Sequence, residues 1–248
     1  MQPEKNYSEY LKNKSVILVG PARYLVGQNK GEEIDNFDIV VRMNTSLPIP
    51  KKYEKDLGSR TDVLYHRLSG NIFPTAEDIK NWNDVGVKWV VTKAQKTNNR
   101  SKKFKDLIKN YDIAWETSYK VADEIKKYVE RTPNQGLITI LHLLNYSIKS
   151  LMVMGCDFYA TGYHLGYKGI TSEKEIEKIR VKSREGKLHN NPSQIIYLSK
   201  IWKDEPRFDV DEVLEKILTS KDVLTQFGAQ SQKIKEVGAK TKKKKKNK

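Results

Sequence analysis

The chain has 248 residues, with 46 lysines and arginines against 31 acidic residues, a formal net charge of +15, and 38% hydrophobic residues. That length supports one hydrophobic core near the upper end of a usual single domain, and no stretch approaches the roughly 18 consecutive apolar residues of a membrane span. The opening MQPEKNYSEYLKNK has no apolar signal region, and one cysteine, Cys156, leaves no intramolecular disulfide and no multi-cysteine metal site, which fits a reducing, cytoplasmic setting.

In chain order, short apolar runs alternate with amphipathic stretches, the pattern of an α/β fold. The sequence predicts strands at Val16–Val19, Ile39–Arg42, Asp62–Tyr65, Lys88–Val91 and Leu151–Met154. The runs at Val16 and Ile39 lack polar alternation, as strands covered on both faces do, so a mostly parallel central sheet with flanking helices is expected. Helices are predicted at Ala76–Asn83, Lys102–Asn110, Tyr119–Glu130, Gly136–Tyr146, Glu173–Lys182, Ser193–Trp202 and Val210–Leu218. The stretch GLITILHLLNY is the most apolar helix and should pack under the sheet. No repeat or Gly/Ser linker divides residues 1–227, which read as one domain. Residues 228–248 carry nine lysines and one acid, a net +8 of the total +15. They read as a disordered tail that either meets nucleic acid or another anionic surface or simply solubilises the chain.

Ligands of parallel α/β sheets gather at the carboxyl ends of the strands. Here those ends carry Gly20-Pro21, Arg42-Met43-Asn44, Tyr65-His66 and Gly155-Cys156-Asp157. The segment VILVGPARYLVGQNKGEEIDNFDIVVRMN opens like a dinucleotide-binding unit. Yet Pro21 and Ala22 stand where its close glycines should be, and Asn44 replaces the acid after its second strand. Asn134, Gln135 and Gly136 precede a helix, where backbone N–H groups and the positive dipole end favour an anion, although Asn134 would equally serve as an N-cap. Arg23 is the only cation of the first loop and either faces a phosphate or lies exposed. His142 sits within the apolar helix and reads as structural, and His66 follows a strand. His164 lies in the loop TGYH, and His189 precedes a helix led by Pro192, where capping is the ordinary role. Asp209-Val210-Asp211 matches the Asp-x-Asp by which many nucleotide-sugar enzymes hold a divalent metal. It opens the amphipathic segment DVDEVLEKIL, so helix capping explains it and no metal site is assigned.

Four of these stretches, in order, carry a resemblance. VILVGPARYLVGQNKGEEIDNFDIVVRMN resembles the large sialyl motif of the eukaryotic-type sialyltransferases, glycosyltransferase family 29. PNQGLITILHLLNYSIKSLMVMG resembles the small motif, TGYHLGY the third, and LHNNPSQ the very small motif with its histidine. GSRTDVLYH fits the segment after the first motif. The similarity runs over roughly residues 13–203 and is greatest to the soluble microbial and viral branch, whose loop also reads Gly-Pro.

The resemblance implies a Rossmann-like sialyltransferase variant of the GT-A fold. It implies an inverting, metal-independent transfer of a sugar from a CMP-activated donor to a glycan hydroxyl, with no permanently bound cofactor. One phosphate and a pyrimidine need less backbone cradling than a dinucleotide, so the missing glycines fit. His189 is then the general base and His164 lies near the donor phosphate. With the strand-end reading, nucleotide contacts fall to Gly20, Pro21, Ala22, Arg23, Asn44, Asn134, Gln135, Gly136 and Gly155. This sequence departs from the family pattern at Pro21, usually Asn in the animal enzymes, at Gln135, usually Ser or Thr, and at Gln194, where an acid is common. Both cysteines of the family's motif-linking disulfide are missing. Loops near 67–75, 93–101 and 158–190 are expected to face the acceptor. Alternatives are the same fold with a different donor, CMP-Kdo or a UDP-sugar, and a basic nucleic-acid- or membrane-binding protein.

Overall fold

The structure is a computed structural model that describes residues 6–184 and 189–220; the lysine-rich segment 228–248, with the expectation of a disordered tail, lies outside them. The chain opens with α1 (Tyr7–Leu11) and β1 (Ser15–Val19), followed by α2 (Gly31–Asp35), β2 (Ile39–Met43), α3 (Glu54–Leu57) and β3 (Val63–Tyr65). It continues through α4 (Ala76–Asp84), β4 (Trp89–Thr92), α5 (Asn99–Ile108), β5 (Ala114–Thr117), α6 (Tyr119–Ile125) and α7 (Gln135–Leu144). The remaining elements are β6 (Ser150–Met154), α8 (Glu173–Arg184), α9 (Asn191–Asp204), β7 (Phe208–Val210) and α10 (Glu212–Thr219).

The strands form one parallel sheet in the order β5-β4-β3-β2-β1-β6-β7. The chain winds outward from β1 to β5, then returns to lay β6 on the other side of β1. That reversal leaves a crevice where the carboxyl ends of β1 and β6 diverge. The register Val19↔Met154 sends Gly20 and Gly155 out of the sheet side by side. They touch so closely that a Cβ on Gly20 would sit 2.1 Å from the Gly155 carbonyl oxygen, so only glycine fits.

The apolar runs are buried on both faces, with Val16, Ile17, Leu18, Val40 and Val41 all fully enclosed. As expected, α7 packs under the sheet: Leu137, Ile138, Ile140 and Leu143 join residues of β1, β2, β3 and β6 in the largest core cluster. Truncating one of these leucines to alanine would cost about 3 kcal/mol.

All five predicted strands are present. β5 and β7 escaped prediction because they are short edge strands, β5 only half-buried and β7 three residues long. The helix expected at Tyr119–Glu130 stops at Ile125. The one expected from Val210 starts at Glu212, because Val210 closes β7 and Asp211 is the N-cap. Helices α1, α2 and α3, of five, five and four residues, are too short for a periodic signal.

The charged residues of the first motif prove to be braces. The Asp35 carboxylate accepts from Ser59 N (2.7 Å), Ser59 Oγ (2.8 Å) and Arg60 N (3.1 Å). Arg42 is buried and donates Nη2 to the Leu57 carbonyl at 2.6 Å and Nε to the Arg60 carbonyl and Thr61 Oγ1 at 3.1 and 3.0 Å. Burial lowers its pKa to about 10, and these oxygens replace the water it has lost. GEEID, VVRM and GSRTD thus lock one another, and the lock fixes the tip of β2 where Asn44 leaves the sheet.

Candidate active site

The cleft at these strand ends is a half-open pocket of about 140 Å³. It is lined by Pro21 and Ala22 after β1, Asn44 after β2, the segment Gly155–Tyr159 after β6, the turn Asn134–Gly136 before α7, and His189. Residues separated by more than 140 positions in sequence therefore share one cavity.

Asn44 is buried in the left-handed region at φ 52°. Its N–H donates to the Tyr65 carbonyl at 2.8 Å, its Oδ1 accepts the Arg67 N–H at 3.3 Å, and its side chain also bonds the Tyr167 hydroxyl. Asn134 does cap α7, accepting the Leu137 N–H at 2.8 Å. Beside it, Gln135 Nε2 is buried without an acceptor. An unmet buried amide donor costs about 1–3 kcal/mol, and this one sits where a helix N-terminus already favours an anion.

His189 lies with Nδ1 2.7 Å from the Thr132 carbonyl oxygen. A carbonyl only accepts, so Nδ1 carries the hydrogen and Nε2 the lone pair. The ring stacks on Tyr159 with centroids 6.3 Å apart and planes 6° from parallel. The cap of α9 is Asn190, which accepts the Ser193 N–H at 3.0 Å, so capping does not account for His189.

Aromatic residues also line the cleft: Phe158, Tyr159, Tyr163 and Tyr167. Phe158 and Tyr159 are consecutive left-handed residues, at φ 51° and 69°. Backbone strain of this kind gathers at ligand sites. The buried Asp157 holds the turn, its Oδ2 accepting from Thr161 N at 2.7 Å and Oγ1 at 2.5 Å, and burial raises its pKa. Tyr163 and Tyr167 follow, with rings 4.7 Å apart. Burial raises the pKa of Tyr159, Tyr163 and Tyr167, so all three keep their O–H donors at neutral pH. Sequence reasoning did not assign these tyrosines, Arg67 or Lys93 individually; Tyr163 and Tyr167 lie in the third motif, and all five fall in the loops expected to face the acceptor.

Three of the expected contacts stand back from the cavity. Gly20 supports it from behind, through Gly155. Arg23 takes its exposed reading and pairs with Glu173 on the surface. His164 is buried beside Tyr53, donates Nδ1–H to the Leu165 carbonyl at 2.9 Å, and does not line the cleft. His66 is packed against Trp82, and His142 lies between the hydroxyls of Tyr65 (2.8 Å) and Tyr146 (3.2 Å), as a structural histidine should.

Asp211 caps α10 through the Leu214 N–H at 2.9 Å, and its other oxygen accepts the Gly155 N–H at 3.0 Å and the Tyr24 hydroxyl. Asp209 is exposed. Asp211 thus takes the capping role, and among the described residues no cluster of three His, Cys, Asp or Glu is placed to hold a metal. Among the same residues no helix is long and apolar enough to cross a membrane.

The profile of glycosyltransferase family 29 (sialyltransferase) matches residues 3–153. No curated protein sequence matches. Among solved structures, the chain is similar to the monofunctional α-2,3-sialyltransferase Cst-I from Campylobacter jejuni, with a TM-score of 0.57 and 15% identity over 87% of this chain and 82% of that one. It is also similar to the sialyltransferase CstII from the same organism in complex with a substrate analogue, cytidine-5'-monophosphate. There the TM-score is 0.52 and the identity 16%, over 80% of this chain and 79% of that one. At such identities the likeness establishes the fold, the Rossmann-like α/β architecture of the sialyltransferases.

Proposed function

The chain belongs to glycosyltransferase family 29, the sialyltransferases, and we propose that it transfers a sialic acid from a CMP-activated donor to a glycan hydroxyl, inverting the transferred carbon. One observation carries this reading: His189, Asn44 and the Asn134–Gly136 turn line the same cleft at the switch point of the sheet. A base, a nucleotide contact and an anion site in one cavity are what the reaction requires. The CMP complex of CstII supports the choice of nucleotide.

In this reading the cytidine rests between the Pro21-Ala22 loop and Asn44. The single phosphate meets the N-terminus of α7 and the unmet Nε2 of Gln135. The acceptor hydroxyl gives its proton to His189 Nε2, its oxygen bonds the anomeric carbon, and the bond from that carbon to the phosphate oxygen breaks, releasing CMP. The Thr132 carbonyl holds the imidazole in the basic tautomer and stabilises the imidazolium that forms. The tyrosine hydroxyls that line the cleft donate to the departing phosphate, where charge develops. Because protein donors meet that charge, we take the reaction to be metal-independent. A cytoplasmic setting is proposed on the single cysteine alone.

The test is a donor screen with the purified full chain, with a neutral galactoside and 3'-sialyllactose as acceptors. CMP-sialic acid should release CMP and give a product of opposite anomeric configuration. A preference for CMP-Kdo would reassign the sugar, and a preference for UDP-sugars would overturn the nucleotide.

A further inference from the structure

Arg67 and Lys93 stand side by side on the cleft rim. β3 and β4 pair Tyr65 with Val91, so residues two beyond each, Arg67 and Lys93, hold equivalent places at neighbouring strand tips. Both line the cleft. The carboxylates nearby are already engaged: Glu116 pairs with Lys96 at 3.3 Å, Asp123 with Lys126 at 3.1 Å, and Asp157 takes both bonds from Thr161. Among the described residues neither Arg67 nor Lys93 makes an ion pair. Lys93 is half-buried, and its ammonium is disfavoured first by burial and then by Arg67 and Lys126. Two converging cations without a carboxylate are an unmet demand for an anion.

Which anion follows from position. The donor phosphate is accounted for at α7, and the donor carboxylate sits on the same carbon that bears that phosphate. β3 and β4 are two and three strands out from β1, about 10–14 Å at ordinary strand spacing. Arg67 is exposed to solvent while lining the cleft, within reach of an incoming second substrate. The loops that begin at these two residues are those expected to face the acceptor. We propose that Arg67 and Lys93 form an anion subsite for the acceptor, so that this enzyme elongates glycans ending in an acidic sugar.

The proposal rests on the transferase reading, and the experiment separates the two. Calorimetry on the full chain measures binding of 3'-sialyllactose, of its neutral carboxamide, and of CMP, for the wild type and for Lys93→Gln and Arg67→Gln. Sialyllactose should bind about tenfold more tightly than its carboxamide, and each variant should lose about tenfold for sialyllactose with CMP affinity kept. Equal affinity for acid and amide, or variants that bind sialyllactose as the wild type does, would overturn the subsite. Variants that lose CMP would overturn it too, since the cations would then serve the donor. A wild type that binds sialyllactose through these residues but does not bind CMP would leave the subsite standing and remove the transferase reading. Binding of neither ligand removes both.

Discussion

Gln194 accepts the backbone N–H of Asn134 on its Oε1 at 2.8 Å, with both residues buried, and so ties α9 to the turn that opens α7. Its Nε2 donates to the Asn190 carbonyl at 3.2 Å, a bond that an ionised carboxylate at this place could not make. The amide therefore fixes both the turn before α7 and the residue next to His189.

Gln194→Leu should leave the Asn134 N–H buried without an acceptor and cost about 1–3 kcal/mol of stability. The turn would shift, so CMP affinity and transfer rate should fall together. Gln194→Glu keeps the bond to Asn134 and should recover most of the CMP affinity. Urea midpoints and CMP titrations check this; a leucine variant with wild-type values for both would show that the brace is dispensable.

Gln135 offers the opposite experiment. Its Nε2 lacks an acceptor in the protein, so Gln135→Leu removes an unmet donor rather than a bond. Stability should hold or rise by up to about 1 kcal/mol, while CMP binds about tenfold more weakly if this amide serves the phosphate. Loss of both stability and affinity would mean that Gln135 supports the fold instead.

The parallel sheet was legible because its strands are continuous apolar runs such as Val16–Val19, a signal that survives without neighbours. The edges were not, because β5 and β7 are short strands whose pairing depends on the rest of the sheet. Asn44, Asn134 and His189 stand at a strand tip or just before a helix, places that the sequence marks locally, and all three line the cleft. Arg67 and Lys93 meet only because β3 and β4 align in register, a relation invisible along the chain. Arg42 and Asp35 show the converse. Their motif is conspicuous in sequence, yet their hydrogen bonds go to the turn at 57–61 rather than into the cleft.

Acid should destabilise the protein through His66 and His142, whose pKa values burial lowers to about 4. Both are neutral in the fold and titrate near 6.5 when unfolded. Between those values the unfolded chain binds more protons, so stability falls as pH drops from about 6.5 toward 4, by roughly 3 kcal/mol per histidine at most. Protonation would also turn His66 Nδ1, which accepts the Leu68 N–H at 3.2 Å, into an opposing donor. His142→Gln should flatten part of the pH dependence of the urea midpoint between pH 7 and 5. An unchanged slope would show that this histidine does not control acid stability.

The proposed role of His189 as general base can be separated from that of the scaffold holding it. His189→Ala removes the lone pair and the bond to Thr132 together, and turnover should fall by about two to four orders of magnitude. That loss alone does not distinguish a base from a prop. In His189→Asn the side-chain amide can still donate to the Thr132 carbonyl, while nothing remains at the place of Nε2 to take a proton. The asparagine variant should be nearly as inactive as the alanine variant, with CMP affinity within about twofold of wild type, because proton transfer contributes to the barrier and not to nucleotide binding. If asparagine restores turnover, His189 acts by holding the segment before α7 in place, and the proton goes elsewhere.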